Sequence, residues 1–316
     1  MVSNRPRWSL PGLSTAMWLT GLLCLAATPC AFAAPRAPAP APVSPPQLAL
    51  LVGVQTYPKL GPQRQLDGCR NDVRLMKDLL VGRFGFRPED VATLLDDQAT
   101  AASIRSELER ILKDIGDLPA EHQAAQVVFY FSGHGSQVRD QQEGHPHCDE
   151  QDGLDETLVP YDADREGSDR DIRDDELYGF VETVCQDGRN RLWIVLDCCH
   201  SGTGVRGTTK LRRLDRNLAP LALESEEGRK ITPKRLPDGA VLLTACRACE
   251  VEPEYREGQQ SYGLLTRFLT QVLQQTPAVS ALSYRTLRET IVGRYECGAV
   301  VPAPTPQLEG SSEALE

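Results

Sequence analysis

The sequence predicts an α/β fold, a mostly parallel β-sheet covered by helices on both faces. Three observations predict it. Short continuous apolar runs, such as Leu48-Ala49-Leu50-Leu51-Val52-Gly53-Val54, read as strands buried on both faces. Segments with apolar residues at helical spacing alternate with those runs, the pattern of parallel strands joined by crossover helices. The chain has 316 residues, 41% of them hydrophobic, enough for one core of about 250 residues or two small domains.

The elements follow in order. Residues 48–54 form the first strand. Residues 69–80 carry Val73, Met76 and Leu80 at helical spacing. Residues 92–95 read as a short strand. Residues 100–115 are amphipathic, with Ile104, Leu108, Ile111, Leu112 and Ile115 on one face. Val127-Val128-Phe129-Tyr130-Phe131, Leu192-Trp193-Ile194-Val195-Leu196 and Ala240-Val241-Leu242-Leu243-Thr244 are three further buried strands. Helical patterns close the core at 262–274 and 283–294. Three segments fall outside the alternation: an acidic loop at 145–176, a long basic loop at 203–238, and a Pro-, Ser- and Glu-bearing tail at 301–316 that reads as disordered. The domain organisation expected is a leader at 1–33, a Pro- and Ala-rich linker at 34–47, the folded domain at 48–300 and the tail.

The N-terminus reads as a signal peptide. Arg5 and Arg7 supply a positive start, an uncharged apolar stretch follows, and Ala31-Phe32-Ala33 is a small-x-small cleavage signature. The other reading is a membrane anchor, but the apolar run is a little short for a span. An exported protein, periplasmic or secreted, is expected, with no membrane association once the leader is removed. A formal net charge of -10 argues against nucleic-acid partners, because phosphate contacts need clustered Lys and Arg. Eight of the ten Cys follow the leader. An oxidising compartment permits disulfides among them, with a connectivity that the sequence leaves open.

Two strand ends carry reactive residues. Ser132-Gly133-His134-Gly135 follows one strand, and Asp197-Cys198-Cys199-His200-Ser201-Gly202 follows another. In a parallel sheet both ends lie on one edge, where sites of such folds form. His134 and Cys199 are therefore the candidate catalytic pair, since a thiol needs a neighbouring base to act as a thiolate near neutral pH. Backbone N–H groups of Gly135 and Cys199 are the candidate oxyanion hole.

The stretches Phe129-Tyr130-Phe131-Ser132-Gly133-His134-Gly135-Ser136-Gln137 and Asp197-Cys198-Cys199-His200-Ser201-Gly202-Thr203 resemble the two signature blocks of metacaspases. Leu66-Asp67-Gly68-Cys69-Arg70-Asn71-Asp72-Val73 and the acidic blocks at 152–156 and 174–177 extend the resemblance. It implies a caspase-like three-layer α/β/α sandwich, with Cys199 rather than Cys198 as nucleophile of a cysteine endopeptidase. It also implies cleavage of polypeptides after Arg or Lys. The acidic primary pocket of the family maps to Cys69, Asp72, Ser132 and Asp197, and carboxylates there suit a guanidinium. The chemistry needs no cofactor. Calcium activates many members, through aspartates that map to Asp155, Asp174 and Asp175. This chain departs from the pattern at Arg206, where the family's fourth Asp falls, so calcium dependence and calcium independence both stay open.

Two features remain. Cys246-Arg247-Ala248-Cys249 reads as loop cysteines, a disulfide, or half of a zinc site completed by His145, His147 and Cys148. The basic loop at 203–238 holds nine Lys or Arg residues, Arg212 and Arg213 among them. Tethered beside a pocket selective for such residues, it is a candidate for self-processing. The competing functional reading is a non-catalytic interaction module that keeps the fold.

Overall fold

The computed structural model describes residues 45–119, 124–139, 154–164, 170–199, 210–214, 235–247, 250–297 and 303–311. The expected leader and most of the expected linker lie outside them, as does most of the basic loop. In chain order the strands are β1 (Gln47–Gly53), β2 (Val91–Leu95), β3 (Gln126–Ser132), β4 (Gly135–Arg139), β5 (Leu154–Leu158), β6 (Ile172–Arg173), β7 (Arg191–Asp197), β8 (Ala240–Thr244), β9 (Glu254–Glu257), β10 (Gln260–Gly263) and β11 (Gln307–Gly310). The helices are α1 (Cys69–Arg83), α2 (Ala101–Gly116), α3 (Asp174–Cys185), α4 (Leu264–Gln275) and α5 (Tyr284–Cys297).

The apolar runs pair into one six-stranded sheet of order β11-β8-β7-β3-β1-β2. All neighbours are parallel except β11 on β8. Successive side chains on a strand point to opposite faces, and each face has its own helices. Leu50, Val52, Phe129 and Phe131 pack with Ile104 and Leu108 of α2 and Phe180 and Val184 of α3. Ala49, Leu51, Val128 and Tyr130 pack with Met76 of α1, Leu265 and Leu269 of α4 and Ile291 of α5. That is the three-layer α/β/α arrangement. Thr100 caps α2 by accepting the Ser103 N–H at 3.2 Å, which satisfies one of the free donors of a helix start.

The register fixes where chemistry can happen. Ser132 at the end of β3 is level with Gly53 of β1 and with Asp197 of β7. Leu196 is level with Thr244 of β8. The segments after β1, β3, β7 and β8 therefore leave the sheet at one edge.

Several parts differ from expectation. The segment expected as an acidic loop contains β5 and β6, which join β4 in a separate three-stranded sheet, and runs into α3. Their local sequence is polar, and pairing comes from tertiary placement rather than alternation. The region before α4 forms the β9–β10 hairpin, whose Gly258 takes a positive φ at the turn. The tail expected to be disordered is corrected: Gln307–Gly310 pairs antiparallel with β8, and Leu308 packs against the core, so the folded domain extends past 300. Glu250 accepts the Thr305 N–H and, at 2.9 Å, the Thr305 hydroxyl, which anchors this return. No helix among the described residues is long and apolar enough to cross a membrane.

Candidate active site

Both reactive segments leave the same sheet edge, and both meet residues 210–214. His134 follows β3 by two residues and is buried. Its backbone N–H donates to the Tyr57 hydroxyl (2.8 Å), its backbone carbonyl accepts the Val159 N–H (3.0 Å), and its ring lies 4.7 Å from the Tyr57 ring. The ring nitrogen Nε2 is 2.8 Å from the Arg64 carbonyl oxygen. A carbonyl only accepts, so this assigns the proton to Nε2 and leaves a lone pair on Nδ1. Nδ1 is buried with no hydrogen-bond partner. An orphaned acceptor of this kind is what a base waiting for a proton presents.

Cys199 follows β7 by two residues and is buried at 1% exposure. A hydrogen bond from Cys246 holds its thiol below the usual value, against the effect of burial, and the Glu252 backbone N–H and the Arg213 and Arg212 charges pull the same way. Cys246 is pushed up, above all by its bond to Cys199, and Cys198 is pushed up by burial. Cys199 is thus the most acidic thiol of the three. Burial lowers His134 to about 4, with the Arg64 carbonyl opposing, so the imidazole is neutral at pH 7.

The pocket residues expected from sequence converge on one side chain, Arg212, which is fully buried. Its Nη1 donates to Ser132 Oγ (2.6 Å), Asp197 Oδ1 (3.0 Å) and the Asp197 carbonyl (3.2 Å). Its Nη2 donates to Asp72 Oδ2 (2.6 Å) and Glu254 Oε1 (3.4 Å). The carboxylates are themselves fixed. Asp72 accepts the Gly263 N–H (3.0 Å) and the Ser132 hydroxyl (2.9 Å). Asp197 Oδ2 accepts the Thr266 N–H (2.8 Å) and the Thr266 hydroxyl. Cys69, at the start of α1, belongs to the same buried group, and burial pushes its thiol up against the opposing charge of Arg212. Two absent side chains make room. A Cβ on Gly68 would stand 2.8 Å from Arg212 Nη2, and one on Gly263 would stand 2.2 Å from Asp197 Oδ2.

The Arg212 backbone is engaged as closely. Its carbonyl oxygen accepts the N–H groups of Gly135 (3.1 Å) and Cys199 (3.2 Å), the pair expected as the oxyanion hole. Its N–H donates to the Glu252 carbonyl (3.1 Å), and the Glu254 N–H donates to the Lys210 carbonyl (2.9 Å). Leu211 bridges antiparallel to Pro253, and Arg213 bridges parallel to Gly135. Residues 210–212 thus lie as an added strand along 252–254, the manner in which extended peptides bind an open edge.

Sequence reasoning missed three participants and left a fourth, Cys246, without a role at the site. Tyr57 holds the His134 loop. Glu254 is a third pocket carboxylate. Glu252 is buried, bonds the Leu265 N–H at 2.8 Å, and is pushed well above the usual range by burial and then by Asp197. Cys246 of the CxxC meets the candidate nucleophile, while Cys249, His145, His147 and Cys148 lie outside the described residues. Cys69, Cys185, Cys199 and Cys246 are free thiols.

Asp155, Asp174 and Asp175, the residues expected to bind calcium, lie on β5 and at the start of α3. Asp155 is buried and ion-paired with Arg173. Asp174 and Asp175 open α3, and no group of three or more candidate metal ligands occurs among the described residues. Arg206 lies outside them.

Residues 47–206, just over half of the chain, match the metacaspase, peptidase C14 domain. Metacaspase-1 of Yarrowia lipolytica is 30% identical over 301 residues, covering 83% of this chain and 61% of that protein. Metacaspase III c of Phaeodactylum tricornutum is 37% identical over 155 residues, covering 49% of this chain and 42% of that protein. The chain therefore spans less than two thirds of the length of these relatives. A crystal structure of a protein from Geobacter sulfurreducens superposes with a TM-score of 0.56 at 23% identity, over 86% of this chain and 97% of that one. That likeness concerns the fold.

Proposed function

The chain belongs to the metacaspases, and from that premise we propose that it is a cysteine endopeptidase that cleaves polypeptides after Arg or Lys, with Cys199 as nucleophile and His134 as base. One observation carries the proposal: a buried arginine held by Asp72, Asp197 and Glu254, with its carbonyl oxygen between the N–H groups of Gly135 and Cys199. A pocket that holds three buried carboxylates is costly when empty, and a substrate cation offsets much of that cost. An aspartate side chain in the same place would add a fourth negative charge.

The chemistry proposed is acyl transfer through a thioester. The Cys199 sulfur attacks the substrate carbonyl carbon while His134 Nδ1 takes the thiol proton. The Gly135 and Cys199 N–H groups stabilise the oxygen as it becomes negative. His134 then returns the proton to the leaving amine, and water hydrolyses the thioester. Neutral His134 and a thiol of lowered pKa are the protonation states that start this sequence. The proposed setting is extracytoplasmic, on the strength of the leader-like N-terminus.

The test is a panel of peptides that differ only in the residue before the cleaved bond. Arg and Lys peptides are expected to exceed Asp peptides by at least about 1000-fold in kcat/KM, as a desolvated charge pair supplies several kcal/mol. Cys199→Ala is expected to abolish turnover with the fold intact. Equal cleavage after Asp would sink the specificity. A folded protein that turns over nothing in the panel would favour the interaction module.

A further inference from the structure

Cys246 belongs to a Cys-x-x-Cys motif that takes no covalent part in the chemistry above, yet its thiol lies against the nucleophile. β7 and β8 run parallel and level, with Leu196 opposite Thr244, and the Ala245 N–H donates to the Leu196 carbonyl (3.0 Å). Cys199 and Cys246 follow those two strand ends side by side, and both are buried, at 1% and 8% exposure. We propose that Cys199 and Cys246 are a dithiol modification site that peroxide converts to a disulfide, with Cys246 as the resolving thiol that silences the nucleophile reversibly. The loss of activity rests on the peptidase reading above, whereas the bond between the two sulfurs does not.

Neighbouring strands of a sheet lie about 4.8 Å apart, inside the range of roughly 4.4–6.8 Å between Cα atoms that disulfides span. The two thiols are already in contact, since the Cys246 S–H donates to the Cys199 sulfur. Cys198 is a poor partner for Cys199 by the same measure. Consecutive Cα atoms stand about 3.8 Å apart across a trans peptide, too close for an unstrained bridge, and Cys198 packs into the core on the α2 and α3 face. The turn after β8 holds Cys246 in place. Its sulfur lies 3.6 Å from the Glu250 carbonyl oxygen. The Glu250 N–H donates to the Arg247 carbonyl (2.9 Å), and the Arg247 N–H donates to the Glu250 carboxylate (3.2 Å). The two thiols are also chemically unequal, which sets the order of events. Cys199 is the one held below its usual value, chiefly by the bond from Cys246, and Cys246 is the one pushed up by donating it. The more acidic sulfur meets an oxidant first.

The step balances with hydrogen peroxide as the oxidant. The Cys199 thiolate attacks one peroxide oxygen, an S–O bond forms, the O–O bond breaks, and the departing hydroxide takes up a proton to leave as water. The Cys246 sulfur then attacks the Cys199 sulfur. The S–S bond forms, the S–O bond breaks, and the leaving hydroxide takes the Cys246 proton. Two thiols are oxidised to one disulfide while one peroxide is reduced to two waters. A small thiol reverses the bond by exchange. A sulfenic acid with no neighbour to resolve it goes on to sulfinic and sulfonic acids, which small thiols do not reverse. Cys246 therefore protects the nucleophile as it silences it. In the extracytoplasmic setting proposed above, where thiols meet oxidants, the pair makes the enzyme active only while reduced.

The experiment treats reduced wild type, Cys246→Ser and Cys199→Ala with hydrogen peroxide, blocks the remaining thiols with iodoacetamide, and maps tryptic peptides without reductant. Trypsin separates the sulfurs in question: residues 192–206 carry Cys198 and Cys199, residues 236–247 carry Cys246, and residues 248–256 carry Cys249. Wild type is expected to yield 192–206 linked to 236–247, about 2 Da lighter than the two thiol peptides together. Its turnover of an Arg peptide is expected to fall in proportion to that species, and dithiothreitol to restore both. Cys246→Ser keeps a hydrogen-bond donor beside Cys199, and its own untreated rate is the reference. It is expected to lose turnover on the same treatment, to gain about 32 or 48 Da on 192–206, and to recover less than about a tenth of its rate with dithiothreitol. Cys199→Ala is expected to give no linked peptide. A link between 236–247 and 248–256, a link that persists in Cys199→Ala, or wild-type turnover lost beyond recovery overturns the inference and leaves the peptidase reading standing. So does wild type that keeps its thiols and its rate under peroxide. If Cys246→Ser fails to fold, the linked peptide and its loss in Cys199→Ala decide alone. Absence of turnover from folded, reduced protein overturns the peptidase reading, and the linked peptide then still decides the pair.

Discussion

Asp72 carries a charge that only a cation can answer in its position. It is buried, and burial pushes it up to about 7 against the pull of Arg212, with the Asp197 charge adding to the rise. Asp72→Asn keeps the shape and removes the charge. Loss of one partner from a buried, hydrogen-bonded ion pair costs roughly 3 kcal/mol or more, which is about 100-fold in kcat/KM for an Arg peptide. Ser132→Ala removes one neutral hydroxyl and is expected to cost only about fivefold. A panel measurement with both variants checks the ranking, and similar losses for the two would show that charge does not set the pocket. Asp72, Ser132 and Asp197 were legible in sequence because each sits in a block whose neighbours define it. Glu254 was not, since Glu252-Pro253-Glu254 carries no pattern of its own and becomes part of the pocket only through the β9–β10 hairpin. Arg212 was legible as one basic residue among nine. Nothing local separates it from Arg213, and only the three-dimensional register does so.

At the scale of elements, the junction of β10 and α4 is the least tolerant point near the pocket. Gly263 ends β10, gives its N–H to Asp72 at 3.0 Å, and lies so close to Asp197 that an added Cβ would meet that carboxylate at 2.2–2.4 Å. Gly263→Ala is therefore expected to displace Asp197 and to cut turnover of Arg peptides by about 100-fold or more, at the scale of a lost buried ion pair. Gly293 is the contrast. It lies within α5, and a Cβ there would meet nothing within 4 Å. Gly293→Ala is expected to leave activity unchanged and to stabilise the protein by about 0.5–1 kcal/mol, read from thermal unfolding. The parallel core strands were legible because continuous apolar runs have few other uses in a soluble chain. β11 was not. Its four residues, Gln307-Leu308-Glu309-Gly310, have no alternation long enough to register, and they become a strand because β8 offers an open edge. α3 was hidden because its acidic first turn was read together with the acidic stretch before it.

At the scale of the whole molecule, two buried groups of the site pull stability in opposite directions with pH, and the signs can be worked out. His134 falls from 6.5 to about 4 on folding, chiefly through burial. Between those values the folded chain binds fewer protons than the unfolded chain, so this group makes stability fall as pH drops from 6.5 to 4. Asp72 rises from 3.8 to about 7, again chiefly through burial. Between those values the folded chain holds a proton that the unfolded chain has released, so this group makes stability rise as pH drops from 7 to 4. Each effect amounts to roughly 3–4 kcal/mol over its full window, and in the uncut protein they largely offset one another. Single substitutions should expose them. Relative to wild type, His134→Gln leaves Asp72 unopposed and is expected to gain stability between pH 7 and pH 5. Asp72→Asn leaves His134 unopposed and is expected to lose it over the same interval. Urea midpoints of the three proteins at the two pH values, all on the Cys199→Ala background so that no chain is cut, provide the comparison. Shifts of the same sign in both variants would mean that neither group titrates as its surroundings dictate, and that the buried charge balance lies elsewhere in the cluster of Asp197, Glu252 and Glu254.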